Sequence, residues 1–266
     1  AVTVSNGYEP PLITSGGGGD AATYEISENA AAVTTVTSDI DFGKVGTYTI
    51  IGGADASKFA INPATGALRF ITAPNYEVPS DADANGIYAV KVQVSDGVGG
   101  SDIQDITITV KDVNEAPIIS GNGAKASLVV SENTKAVTTV TATDVDASET
   151  LTYSISGTDA ALFTIDASTG ALSFVNAPNY EAPADSGANN IYDVTVTVTD
   201  KGGLTSSRDM SVSVANVNEA PEITNNGGAQ SIALNVDENS TKVVTVKSSD
   251  QDALAIARYS NVGGED

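Results

Sequence analysis

The chain contains no cysteine, no histidine and no tryptophan, a single methionine, and only 12 basic residues against 34 acidic ones in 266. Without cysteine there can be neither a disulfide nor a thiolate nucleophile, and the cue that cysteine gives about redox compartment is lost. Without histidine the side chain that most often moves protons in catalysis is missing, and so is the preferred ligand of zinc and copper. Aromatic platforms of the kind that hold sugars are scarce, because the only aromatics are nine Tyr and five Phe. No apolar run approaches the roughly 20 residues of a spanning helix, so no membrane insertion is expected in this segment. The net charge of −22 repels nucleic acid and anionic lipid and makes a cation the natural partner. Such a balance can also mark a disordered polyanion, but 41% of the residues are hydrophobic and only 17% charged, so a packed core is expected.

What the chain does have is repetition, with a period of about 105 residues. Asp112-Val113-Asn114-Glu115-Ala116-Pro117 returns as Asn216-Val217-Asn218-Glu219-Ala220-Pro221, and a worn copy, Asn6-Gly7-Tyr8-Glu9-Pro10-Pro11, lies near the start. Ser27-Glu28-Asn29 returns as Ser131-Glu132-Asn133 and as Asp237-Glu238-Asn239. A long fixed period means tandem copies of one folding unit. The copies divide the chain into 1–8, the last strand of a preceding repeat, then 9–113, 114–217, and 218–266, the first half of a third repeat. Ala1 to Val4 aligns with Thr107 to Val110, and the third copy stops midway. The chain is therefore expected to be a slice of a longer array, with completion of the half-units by strand donation as the alternative.

Within a copy the pattern is strand-like. Tyr192, Val194, Val196 and Val198 alternate with polar residues, as do Tyr88, Val90, Val92 and Val94. Similar runs bring each copy to about seven strands, which at this length indicates an all-β antiparallel sandwich. Ala64-Thr65-Gly66 and Ser168-Thr169-Gly170 read as tight hairpin turns, and only 54–59 and 158–163 suggest a turn of helix.

The acids that recur fall at the junctions. Asp112, Asn114 and Glu115 follow the last strand of the first full copy, and Glu28 and Glu77 come from loops that reach the same end. The next copy offers Asp144, Asp146 and Asp200. Converging carboxylates repel unless cations intervene. Oxygen donors without imidazole or thiolate suit a hard ion with six to eight oxygen ligands, which points to calcium, Ca2+.

This set of residues resembles the inter-repeat calcium site of cadherins, and more closely the cadherin-like repeats of large bacterial surface proteins. The linker pattern of acid, any residue, Asn, acid is met by Asp112, Asn114 and Glu115, the Glu-Asn motif by Glu28-Asn29, the acid-x-acid motif by Asp144 and Asp146, and the acid after the sixth strand by Asp200. The loop motif ends in Glu77, but Asn75 stands where that motif has an acid. The resemblance implies Greek-key sandwiches, cadherin- or immunoglobulin-like, arranged end to end, with a cluster of calcium ions stiffening each junction. The second junction repeats the plan with Glu132, Glu181, Asn218, Glu219, Asp250 and Asp252, but Asn216 replaces an acid, so weaker binding is expected. The amino-terminal junction keeps Glu9, Asp39 and Asp41 and has Tyr8 in place of the linker Asn.

A calcium-rigidified segment of an extracellular bacterial surface protein, acting in adhesion or as a stalk, accounts for these features. Its partners would be calcium ions, with neighbouring copies or cell-surface and glycan ligands beyond them. A self-assembling filament or surface-layer subunit and a carbohydrate-binding module are the alternatives. No constellation outside the repeat symmetry points to an enzyme. Asp81 and Asp83 are expected to be solvated loop acids, and Tyr76 and Tyr180 to be packing residues beside the motif Glu.

Overall fold

The computed structural model describes residues 7–41, 43–121, 125–146, 150–225, 233–252, 258–260 and 262. The chain forms two compact units, Ala1–Glu115 and Ala116–Asp266. In the first, strands β1 (Leu12–Ile13), β2 (Ala21–Ser27), β3 (Ala32–Thr35), β4 (Ser38–Asp39), β5 (Thr47–Gly52), β6 (Phe59–Ile61), β7 (Ala67–Phe70), β8 (Ile87–Ser95) and β9 (Ser101–Lys111) make up the structure. They form a four-stranded sheet of order β2-β9-β8-β5, a three-stranded sheet of order β3-β7-β6, and the small pair β1-β4.

The second unit repeats this with β10 (Ile118–Ile119), β11 (Lys125–Ser131), β12 (Ala136–Thr139), β13 (Ala142–Thr143), β14 (Thr152–Ser156), β15 (Phe163–Ile165), β16 (Ala171–Phe174), β17 (Ile191–Thr199) and β18 (Thr205–Ala215). Its sheets are β11-β18-β17-β14, β12-β16-β15 and β10-β13.

Alternation along β8 and β17 makes the sandwich. Tyr88, Val90, Val92 and Val94 are at most 1% exposed, and Tyr192, Val194, Val196 and Val198 at most 2%. Each such side chain contributes about 1.5–3 kcal/mol by leaving water. In the first unit Tyr88 meets Phe70 edge-on at 4.9 Å between ring centroids, and Phe59 lies 4.3 Å from Phe70. Phe163, Phe174 and Tyr192 repeat the arrangement.

Among the described residues the strand pairs are antiparallel with one exception in each unit: β2 runs parallel to β9, and β11 runs parallel to β18. The first long strand and the last therefore point the same way, and both finish at the end of the unit where the linker leaves. Alternation of apolar residues carries no information on strand direction, so the antiparallel expectation held for the sandwich and missed this one pairing.

The two hairpins take the expected turns. Gly66 and Gly170 have φ of 73° and 71°, and a Cβ at either would run into the carbonyl of Val36 or Val140. Asn62 Oδ1 and Asp166 Oδ1 accept the amides of the turn. The expected helical turns are 3-10, at Ala56–Lys58 and Ala160–Leu162, and a further 3-10 turn lies at Ser15–Gly17. Of the third copy, β19 (Glu222–Ile223) pairs with β20 (Ser248–Ser249) inside the second unit. The strand expected at Ala1 to Val4 lies outside the described residues.

Candidate metal centre

The site in the first unit is organised by Glu28, the residue that follows β2. Its amide continues the parallel ladder onto Lys111 O, and the next residue, Asn29, turns the chain with φ 59°, a conformation that Asn tolerates better than most side chains. The Glu28 side chain is folded inward and only 2% exposed. Its Oε1 accepts the amide of Val113 at 3.0 Å and its Oε2 the amide of Tyr76 at 2.9 Å. One carboxylate thereby ties the linker after β9 to the loop that carries Glu77. Asn29 adds two more ties, donating its amide to Pro74 O and its Nδ2 to Glu115 Oε1 at 3.0 Å.

These ties gather four acids. Carboxylate oxygens of Glu28, Glu77, Asp112 and Glu115 all lie within 4.8 Å of one another. Two oxygens on opposite sides of a calcium ion, each bonded at about 2.3–2.6 Å, are roughly 5 Å apart, so the spacing matches ligands converging on a common ion.

The second unit builds the same arrangement. Glu132, 2% exposed, accepts the amides of Val217 at 2.8 Å and Tyr180 at 2.9 Å. Asn133 has φ 61° and donates to Glu219 Oε1 at 2.8 Å. Carboxylate oxygens of Glu132, Glu181 and Glu219 lie within 4.8 Å of one another. Asp252 joins them, since its Oδ2 accepts the amide of Glu219 at 2.8 Å, and Asp250 Oδ1 accepts the amide of Asp252 at 3.1 Å.

Partial burial, together with the charges of Glu132, Asp252 and Glu181, pushes the Glu219 carboxyl above the usual range, against the hydrogen bond from Asn133. Glu181 Oε2 and Glu219 Oε2 are shielded from solvent and accept no hydrogen bond. Shielded oxygens that lack a donor, set among like charges, are what a hard divalent cation would relieve. The residues therefore fit calcium.

The remaining expected ligands are placed as follows. Asn75 Oδ1 accepts the amide of Val78, so this side chain closes its own loop, and Asn179 does the same for Ala182. Asn114 and Asn218 donate to the carbonyls of Glu115 and Glu219 and shape the linker. Within the second unit Asp144 Oδ1 accepts the amide of Asp146 at 3.1 Å, and Asp144 Oδ2 is shielded without a hydrogen bond. Asp200 is 5% exposed and accepts the amide of Leu204.

Asn216 Nδ2 donates to Glu181 Oε1 at 2.6 Å, so where the first unit brings a fourth acid, the second brings an amide donor. Two expectations need correction. Asp81 is 7% exposed and accepts the amides of Asn85 and Gly86, so it is a buried tie of its loop. Tyr76 and Tyr180, 45% and 38% exposed, are half in solvent, because it is their amides that are held by the buried Glu.

Two acids that no sequence pattern singles out, Asp55 and Asp159, are buried and each accept two amides from distant segments: Ala82 and Ala89 in one case, Ser186 and Asp193 in the other.

Residues 126–216 match the model of the cadherin domain, and residues 10–109 match that of a bacterial Ig domain. Among curated proteins, human Protocadherin Fat 1 is 31% identical over 66% of this chain, and mouse Protocadherin Fat 4 is 29% identical over 90%. The chain spans only 4% and 5% of the length of those two relatives. Among solved structures, human CDH23 EC21-23 superposes with a TM-score of 0.55 at 18% identity, covering 92% of this chain and 81% of that one, a likeness of fold. With one sandwich plan and one buried Glu plan in both units, and a cadherin-domain match on the second, the chain consists of cadherin-like tandem repeats.

Proposed function

We propose that this chain is a calcium-binding, calcium-stiffened extracellular segment of a bacterial cell-surface protein, acting in adhesion or as a stalk. In this proposal Glu28, Glu77, Asp112 and Glu115 hold calcium at the end of the first repeat, and Asp144, Asp146 and Asp200 of the following repeat complete the ligand set. Glu132, Glu181, Glu219, Asp250 and Asp252 act likewise at the next linker.

The observation that carries the proposal is the bond from the linker amide of Glu219 to Asp252, which puts an acid of the third copy beside the triad of the second. A bridging cation would add a second tie between the two copies at this linker. The extracellular setting is supported by the cadherin relatives, and the bacterial one by the bacterial Ig match.

Calcium bound only to the folded, docked state adds RT ln(1 + [L]/Kd), or roughly 2–4 kcal/mol per linker in excess ion. Small-angle scattering of the chain in calcium and in chelator tests this. A single extended distance distribution in calcium should broaden and shorten when the ion is removed. An unchanged maximum dimension would refute the stiffening role.

A further inference from the structure

The amino-terminal linker motif of the first unit departs from the plan of the other two. Where they have Asn114 and Asn218, it has Tyr8. Although Tyr8 is 56% exposed, its hydroxyl is engaged, donating a 2.7 Å hydrogen bond to Asp96 Oδ2. Asp96 is the acid that follows β8, as Asp200 is the acid that follows β17, and it is 6% exposed. Its Oδ1 accepts the amides of Val98 and Gly100, each at 2.9 Å. Both oxygens of Asp96 are thus occupied by donors from its own unit.

Room for the phenol comes from Gly100, where a Cβ would collide with the Tyr8 hydroxyl and crowd Asp96 Oδ2. The matching residue of the second unit is Leu204, whose amide makes the same bond to Asp200 that Gly100 makes to Asp96. The large residue at 8 and the missing side chain at 100 occur together. Next to Tyr8 in the chain, Glu9 has its amide held by Asp41 Oδ2 at 3.0 Å, and Glu9, Asp39 and Asp41 line one cleft.

We propose that Tyr8 and Gly100 form a hydroxyl latch that withdraws Asp96 from the ligand set and makes this end of the first unit its calcium-poor end. The proposal rests on the calcium function proposed above. A neutral O–H satisfies the buried acid without adding charge, so an ion that draws on Asp96 must first displace a charge-assisted hydrogen bond. Such a bond lowers the affinity of the competing ion by about tenfold or more.

Equilibrium dialysis of calcium against the 266-residue chain tests the latch, with Tyr8→Phe, which keeps the ring and removes only the donor, and with Tyr8→Phe combined with Asp96→Asn. The weakest binding step of the parent should tighten by about tenfold or more in Tyr8→Phe and return toward the parent value in the double variant. Identical binding curves for parent and Tyr8→Phe, with calcium bound in both, would overturn the latch and leave the calcium function standing. No calcium binding by either protein would overturn both.

Discussion

Replacing Asp112 by Asn should reverse the sign of its effect on stability with the calcium concentration. In chelator, Asp112 is one of four carboxylates whose oxygens lie within 4.8 Å of one another. A pair of unit charges at that distance repels by about 1 kcal/mol in water and about 3–4 kcal/mol at an effective dielectric of 20. Asp112 is exposed, so the lower figure applies and salt reduces it further. The second unit shows what an amide does at this position: Asn216 donates to Glu181 Oε1. Asp112→Asn should therefore leave the chelated first unit unchanged or stabilise it by about 1–2 kcal/mol.

In calcium the variant has lost a charged ligand. A hundredfold weaker Kd removes about 2.7 kcal/mol of the linkage gain. That corresponds to roughly 10–20 °C in Tm for a unit of this size. Calorimetric melts of parent and variant, each in calcium and in chelator, give the four numbers needed. If the variant lowers Tm equally in both conditions, Asp112 is a structural residue only and the metal assignment fails at this position.

The reverse change, Asn216→Asp, should lower the stability of the chelated second unit and tighten its calcium binding by about tenfold or more, as read by ion titration. Glu28→Gln should behave differently from Asp112→Asn, costing about 2–4 kcal/mol even in chelator. Glu28 accepts backbone amides on both oxygens, and a Gln would turn its own NH2 toward one of them. A denaturant melt in chelator that shows no loss would contradict the role given to this residue. Asp166 supplies a pH test. Hydrogen bonds from the Ser168 hydroxyl and from the turn amides hold its carboxyl down at about 2, against an ordinary 3.8. A lowered carboxyl stabilises the fold above the ordinary value, and that contribution is lost as the pH falls from about 4 through about 2. Asp166→Asn should flatten this acid slope, because Asn62 fills the same place in the first unit with no charge to titrate. An unchanged slope in acid melts would show that the loss arises elsewhere.

Much of the architecture was legible because the signal was periodic twice over, within strands and between copies. Two-residue alternation locates β8 and β17, and the recurrence of about 105 residues marks Glu28 and Glu132 as equivalent. The linker acids and the Glu of the 71–80 loop were legible for the same reason, and the structure brings Glu28, Glu77, Asp112 and Glu115 together. Among what escaped were interactions in which one partner is backbone. Asp55 and Asp159 hold amides 27 and 34 residues away, and an amide leaves no trace in side-chain patterns. The bond from Tyr8 to Asp96 escaped because it occurs in one copy only, so repetition could not announce it.

The two kinds of residue in this site explain where the repeats can differ. Glu28 and Glu132 are identical in kind and in partners, each 2% exposed and each bound to two amides, one from the linker and one from the loop. Changing either would loosen the tie between the linker and the loop, so the site cannot be adjusted there without a cost in fold stability. Positions 112 and 216 lie at the exposed start of the linker, just past the last strand. A change of acid to amide there removes charge and adds a donor while leaving the sandwich intact, as Asn216 shows. Tyr8 and Gly100 act on the same principle from the other end of a unit. On the proposed calcium function, the buried Glu would set the site's geometry, and the exposed linker residues would set how strongly each copy holds its ions. It follows that calcium affinity should vary from repeat to repeat at nearly constant fold stability in chelator.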